Sequence, residues 1–108
     1  NRKIAFRRLR VRLAIEVRSE MIIPYHPSSV WVQRSRENRL YVSRDHEDFP
    51  AVLAEALDVI ATCDWDTRTA AHQLGINSSQ LTKLLKSEPA ALEKVNAERS
   101  ARGLRRLQ

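Results

Sequence analysis

One cysteine among 108 residues, Cys63, can form no internal disulfide. That excludes a disulfide-stapled secreted scaffold and points to a reducing, cytoplasmic setting. The two glycines, Gly75 and Gly103, are too few for a Gly-rich loop that cradles phosphates. No apolar run approaches the roughly 18 residues a bilayer span needs, so no membrane partner is expected. The opening Asn1-Arg2-Lys3 leads into apolar residues interrupted by arginines, which is not the pattern of a signal peptide. The missing initiator methionine leads us to expect a segment upstream. His26, His46, His72 and Cys63 lack paired ligand spacing, so neither a metal nor another cofactor is expected. Ser28, Ser29 and Cys63 have no spaced His and acid beside them, so no catalytic residue is assigned and enzymatic activity is not expected of this chain. At 12.5 kDa the chain can bury one modest core.

What the chain does have is positive charge, unevenly placed. Nineteen Lys and Arg against thirteen Asp and Glu give +6. Residues 1–44 hold eleven basic side chains against Glu16, Glu20 and Glu37, a local charge of +8. Asp45-His46-Glu47-Asp48 contributes −3, and residues 49–101, with five basic and seven acidic side chains, are mildly acidic. Arg102, Arg105 and Arg106 make the last seven residues basic again. A polyanion should therefore meet the first half of the chain.

The pattern predicts a mainly α fold: a long N-terminal basic helix, a short β-hairpin, then a four-helix C-terminal domain containing a helix-turn-helix. Residues 2–18 lack Gly and Pro and are rich in Arg, Leu and Ala, which favours a helix of about five turns. Its apolar residues fall in two stripes, Phe6, Leu9, Leu13 and Val17 on one side and Ile4, Val11 and Ile15 on another. Met21 to Ser29, with Pro24 and Pro27, reads as an extended connection. Val30-Trp31-Val32 and Leu40-Tyr41-Val42 are β-prone and bracket a polar basic segment, predicting a hairpin with Trp31 in its core. Asp48 is the expected cap of a helix carrying Val52, Leu53, Ala56, Leu57 and Ile60 to near Cys63. Asp66 should cap a shorter helix stopped by Gly75, Ser78 or Ser79 the next, and Ser87-Glu88-Pro89 should start a last helix closing near Gly103. The expected units are a basic helical arm (1–20), a linker and hairpin (21–47), a helical domain (48–103) with its helix-turn-helix at 66–86, and a basic tail (104–108).

Ala70-Ala71-x-x-Leu74-Gly75-Ile76, followed by Leu81 and Leu84, resembles a Fis-like helix-turn-helix. Small Ala71 allows close helix crossing, Gly75 makes the turn, and Ile76, Leu81 and Leu84 fill the angle. On that resemblance Asn77, Ser78, Ser79, Gln80, Thr82, Lys83 and Lys86 form a candidate recognition helix facing duplex DNA. Beyond Arg68, Lys83 and Lys86 the module offers few phosphate-binding cations, so a purely structural use of the same corner, docking a protein partner, is the competing reading.

Asn1-Arg2-x-x-Ala5-x-x-x-Leu9-Arg10-x-Arg12-Leu13 resembles the tail that follows the catalytic domain in class I peptide chain release factors and their ribosome-rescue relatives. The match covers about the first eighteen residues. The order of arginine helix, hairpin, DHEDFPAVLAEALDVI helix and helix-turn-helix is similar to release-factor-like proteins with an extra C-terminal helical domain. The family's Gly-Gly-Gln loop is absent from these residues, so no catalytic role carries over. The resemblance implies contact with ribosomal RNA for Arg2, Lys3, Arg7, Arg8, Arg10 and Arg12. The residues alone agree, because closely spaced guanidinium groups pair with phosphates and stack on bases. Tyr25, His26, Trp31 and Tyr41 interleaved with Arg34, Arg36, Arg39 and Arg44 extend the candidate RNA surface. The ribosome is thus the favoured partner, duplex DNA the alternative, and the oligomeric state is open.

Overall fold

The computed structural model of the chain describes residues 2–19 and 24–108. Asn1 and the Glu20-Met21-Ile22-Ile23 part of the expected connection lie outside the described residues. The elements run α1 (Arg2–Glu16), α2 (Ser29–Arg34), β1 (Ser35–Arg36), β2 (Arg39–Leu40), α3 (Phe49–Thr62), α4 (Thr67–Leu74), α5 (Ser78–Lys86) and α6 (Pro89–Ala101). The chain is mainly helical, with a long basic helix first, a short antiparallel hairpin, and four helices after residue 48.

α3 sits at the centre. Phe49, Val52, Leu53, Ala56, Leu57 and Ile60 are wholly buried, and Asp58 and Val59 on the remaining face nearly so. Such a helix leaves water only a narrow strip around Ala51 and Thr62, because α1, α2, α4 and α5 all pack on it. Each fully buried Leu, Ile or Phe contributes about 1.5–3 kcal/mol by leaving water, which makes this helix the main apolar investment of the fold. α1 reaches the same core through Ala14 and Ile15, with Val11 at its edge.

The hairpin is shorter than its β-prone residues suggest, and Val30-Trp31-Val32 is not a strand. Those residues form α2 because Ser28 caps it, its hydroxyl accepting from the Trp31 N–H at 3.1 Å. Glu55 of α3 holds the cap in place, accepting from the Ser28 N–H at 3.0 Å and from the Ser28 and Tyr25 hydroxyls. Trp31 does enter the core, from a helix, and its indole N–H donates to the Leu74 carbonyl at 2.8 Å, satisfying one of the orphan acceptors that end α4. The strands proper pair Ser35 with Leu40 and Arg36 with Arg39. Glu37 and Asn38 turn between them with positive φ at both positions, as a two-residue hairpin loop requires.

α4 ends in a Schellman motif: Gly75 at φ +71° lets its N–H reach the His72 carbonyl while the Ile76 N–H reaches that of Ala71. The cap of α5 is Asn77 rather than Ser78 or Ser79. The Asn77 N–H is taken by the Asn38 carbonyl of the hairpin at 2.9 Å, and this outside contact fixes where the helix starts. α6 closes with a second Schellman motif, Gly103 to Ser100 and Leu104 to Arg99. Asp48 stands at the N-cap of α3 but makes no capping hydrogen bond with its side chain.

Asp66 caps α4 fully, accepting from the Arg68 and Thr69 N–H groups and from the Thr69 hydroxyl. Those hydrogen bonds, the Thr69 hydroxyl first, hold its carboxyl below the usual aspartate range. A lowered folded value means the cap stabilises fully above the unfolded carboxylate pKa, near about 4, and is lost as pH falls through the lower folded value. Asp66→Ala should therefore cost about 1 kcal/mol in denaturant melts at pH 7. The difference from wild type should shrink as pH is lowered below about 4.

Candidate nucleic-acid interface

α1 is a docked helix, held by its ends and by a narrow apolar strip. Near its start the Arg7 guanidinium donates to the Arg44 carbonyl and, at 2.7 Å, to that of His46. Just past its C-terminus Arg18 pairs with Asp58 of α3 at 3.3 Å and turns back to the Ala14 and Ile15 carbonyls, while the Ser19 N–H donates to the same carboxylate at 3.2 Å. Burial pushes the Asp58 carboxyl up, and the Ser19 N–H and Arg18 oppose it. Burial likewise lowers Arg18, with Asp58 acting the other way.

With these two arginines spent on anchoring, the others remain for solvent. Arg2, Arg8 and Arg12 are exposed and Arg10 half-buried, and none of the four forms an ion pair or a side-chain hydrogen bond among the described residues. Lys3 is exposed. Arg7, Arg8 and Arg12 line an open groove of 970 Å³ between α1 and the start of α6, which Arg44 borders from the other side. Arg44 is paired there with Glu88 at 3.1 Å, which leaves Arg8 and Arg12, one helical turn apart, as the groove's unpaired cations. Two guanidinium groups at that spacing can take successive phosphate oxygens.

The hairpin arginines divide. Arg34 lies 3.3 Å from Asp48, so its charge is matched inside the molecule. Arg36 stacks over the Tyr41 ring with 4.9 Å to the centroid, and Arg39 is exposed and unpaired. Arg36 on Tyr41 is the one cation–aromatic pair the interleaved segment builds. Trp31 is buried and so cannot stack on a base. Tyr25 is committed to Glu55, burial and that carboxylate together keeping its phenol protonated. His26 is exposed.

The α5 residues divide too. Ser78, Ser79, Lys83 and Lys86 are exposed and Thr82 half-buried. Gln80 accepts from the Leu40 N–H at 3.2 Å with its side-chain oxygen, so the hairpin occupies one side chain that would read base edges, whereas Asn77 gives only its backbone N–H to Asn38 and is exposed. Among the described residues no cluster of three or more His, Cys, Asp and Glu could hold a metal, and no helix is long and apolar enough to cross a membrane. Burial raises the thiol of Cys63 at the end of α3, with Asp66 and Asp64 adding to it, so it carries little thiolate.

No protein-family model, curated protein or solved structure matches the chain. Residue type alone marks the arginines but not which are free, because Arg7 and Arg18 look like their neighbours until the loop and α3 are folded beside them. Residue type and spacing do not mark Glu55 and Asp58; the only signal for them is acidic residues inside an otherwise apolar helical run.

Asp58→Ala would strand the half-buried Arg18 and release the Ser19 N–H. It should cost about 2 kcal/mol by denaturant melting, since hydrogen bonds to charged groups contribute about that much. Hydrogen exchange should rise in α1 while the α4 and α5 amides keep their relative protection.

Proposed function

We propose that this chain is the RNA-contacting, C-terminal region of a release-factor-like protein that acts in translation termination or ribosome rescue in the cytoplasm. α1 is its principal contact. The observation that carries the reading is the pair Arg8 and Arg12, unpaired on the wall of the α1–α6 groove, with Arg2 and Arg10 also unpaired on the same helix. A helix anchored by Arg7 and Arg18 presents its other arginines in a fixed array, so little ordering entropy is lost when they meet phosphates. The resemblance of residues 1–18 to the release-factor tail supports the same contact. Arg39 and the Arg36–Tyr41 stack would add a second cationic edge. A duplex-DNA reading through α5 draws less support, because the Gln80 side chain is used by the hairpin.

The test is binding to ribosomes and to ribosomal RNA over a salt series. Replacing Arg2, Arg8, Arg10 and Arg12 together by Ala should weaken binding and lower the slope of log K against log salt by about 3, at roughly 0.7–0.9 per phosphate contact. Lys83→Ala/Lys86→Ala should change little. Undiminished binding by the arginine variant, with loss in the lysine variant, would move the interface to α5 and sink the proposal.

A further inference from the structure

α1 carries a second surface that the phosphate reading does not use. Phe6, Leu9, Leu13 and Val17 recur at intervals of three, four and four, so they share one stripe of the helix. They are 63%, 51%, 50% and 54% exposed, while Ala14 and Ile15 on the opposite side are buried against the core. The Val17 N–H still bonds to the Leu13 carbonyl, so the helical path reaches the last of the four. Helical geometry places Glu16 and then Arg12 along one edge of the stripe, with Arg8 beyond them, and Arg10 and Lys3 along the other. A contiguous apolar stripe turned to solvent and edged by cations is an unusual surface for a helix with no partner.

We propose that this stripe docks an acidic amphipathic helix of a partner protein, one with Leu, Ile or Val at its seam and Glu or Asp beside it. The width of the stripe is that of a single knobs-into-holes seam, which one helix fills. The flanking cations select the partner's charge, as the residues beside a coiled-coil seam do. A second copy of this chain does not fit, because pairing two α1 helices would set arginine rows against arginine rows with only Glu16 to offset them. A lipid surface fits poorly as well, since the stripe is narrow, Glu16 borders it, and the other side of α1 is already fixed to α3. A nucleic acid offers no apolar side chains to cover it. The apolar stripe is therefore left over by the RNA reading, although Arg8 and Arg12 border both surfaces and Leu9 reaches the groove.

The probe is a synthetic peptide of about three heptads with Leu at the seam positions and Glu at the flanking ones, titrated into the full chain and followed by fluorescence anisotropy and helicity. Saturable one-to-one binding with a gain in helicity is expected. Leu9→Gln/Leu13→Gln should weaken it by at least about tenfold, since buried seam residues behave as interface anchors. These positions are already about half exposed to water in the free chain, so melting curves should stay close to wild type; Phe6→Ser is a second variant that should also weaken binding. Phe6→Ser, outside the α1–α6 groove that Leu9 helps to line, should keep ribosomal RNA binding, which separates failure here from failure of the RNA reading. The proposal is overturned if a scrambled peptide of the same composition binds equally, or if the Gln variant binds undiminished. It is equally overturned if wild type alone sediments as a dimer that the Gln variant loses, or if phosphatidylglycerol vesicles rather than the peptide discriminate wild type from the Gln variant.

Discussion

The fold depends on covering most of α3. A helix whose Phe49, Val52, Leu53, Ala56, Leu57 and Ile60 are all fully buried, and whose Asp58 and Val59 are nearly so, must be covered over most of its circumference, leaving only the narrow strip with Ala51 and Thr62 to solvent. α4 and α5 cover one part, α2 brings Trp31 to another, and α1 closes the rest. The two carboxylates on this helix are the places where covering it with polar backbone would otherwise fail. Glu55 takes the Ser28 N–H and two hydroxyls, and Asp58 takes Arg18 and the Ser19 N–H. Each carboxylate thus ties a segment from the basic first half onto the mildly acidic second half. That is how a chain with such lopsided charge folds around one core.

This division of labour explains how the arginines are sorted. Arg7 and Arg18 are used up on carbonyls and on Asp58, Arg34 faces Asp48, and Arg44 faces Glu88. Among the described residues the arginines without a side-chain partner are Arg2, Arg8, Arg10, Arg12 and Arg39 in the first half of the chain and Arg68, Arg105 and Arg106 in the second; they are what is left after the fold has taken what it needs. An ion pair at an exposed site contributes at most about 1 kcal/mol, so those cations would gain little by pairing internally and retain their charge for a ligand.

Much of the architecture is legible in the residues because it follows local rules. Asp66 and Gly75 bound α4 as capping chemistry dictates, Pro89 opens α6, and the i, i+3, i+4 spacing from Val52 to Ile60 marks the buried helix. The residues that misled are those whose conformation is set from a distance. Val30-Trp31-Val32 is β-prone by composition, yet Ser28 and Glu55, 27 positions apart in sequence, make it helical. Asn77, at the N-cap of α5, gives its N–H to the Asn38 carbonyl, a contact no window around Ser78 contains. The candidate site shows the same limit. Arginine density locates α1, but the separation of anchors from free cations requires knowing that residues 44–46 and 58 come to lie beside it.

α1 also shows why an alternating sequence can still be a helix with work on two sides. From Leu9 to Val17 apolar residues occupy every second position, and on a helix such alternation scatters them over both faces. One set, Val11 and Ile15 with Ala14, meets α3. The other set stays about half exposed to solvent and outside the buried core. If packing on α3 were all that α1 had to do, its outer positions would be as polar as the exposed side of α6, where Glu93, Ala97 and Ser100 lie. Placing Leu9 and Leu13 there instead carries a solubility cost that no internal contact offsets, and the cations at their edges limit it by discouraging self-association. A helix that is apolar on both sides and cationic between them is built to be covered twice, once by its own core and once by something it meets.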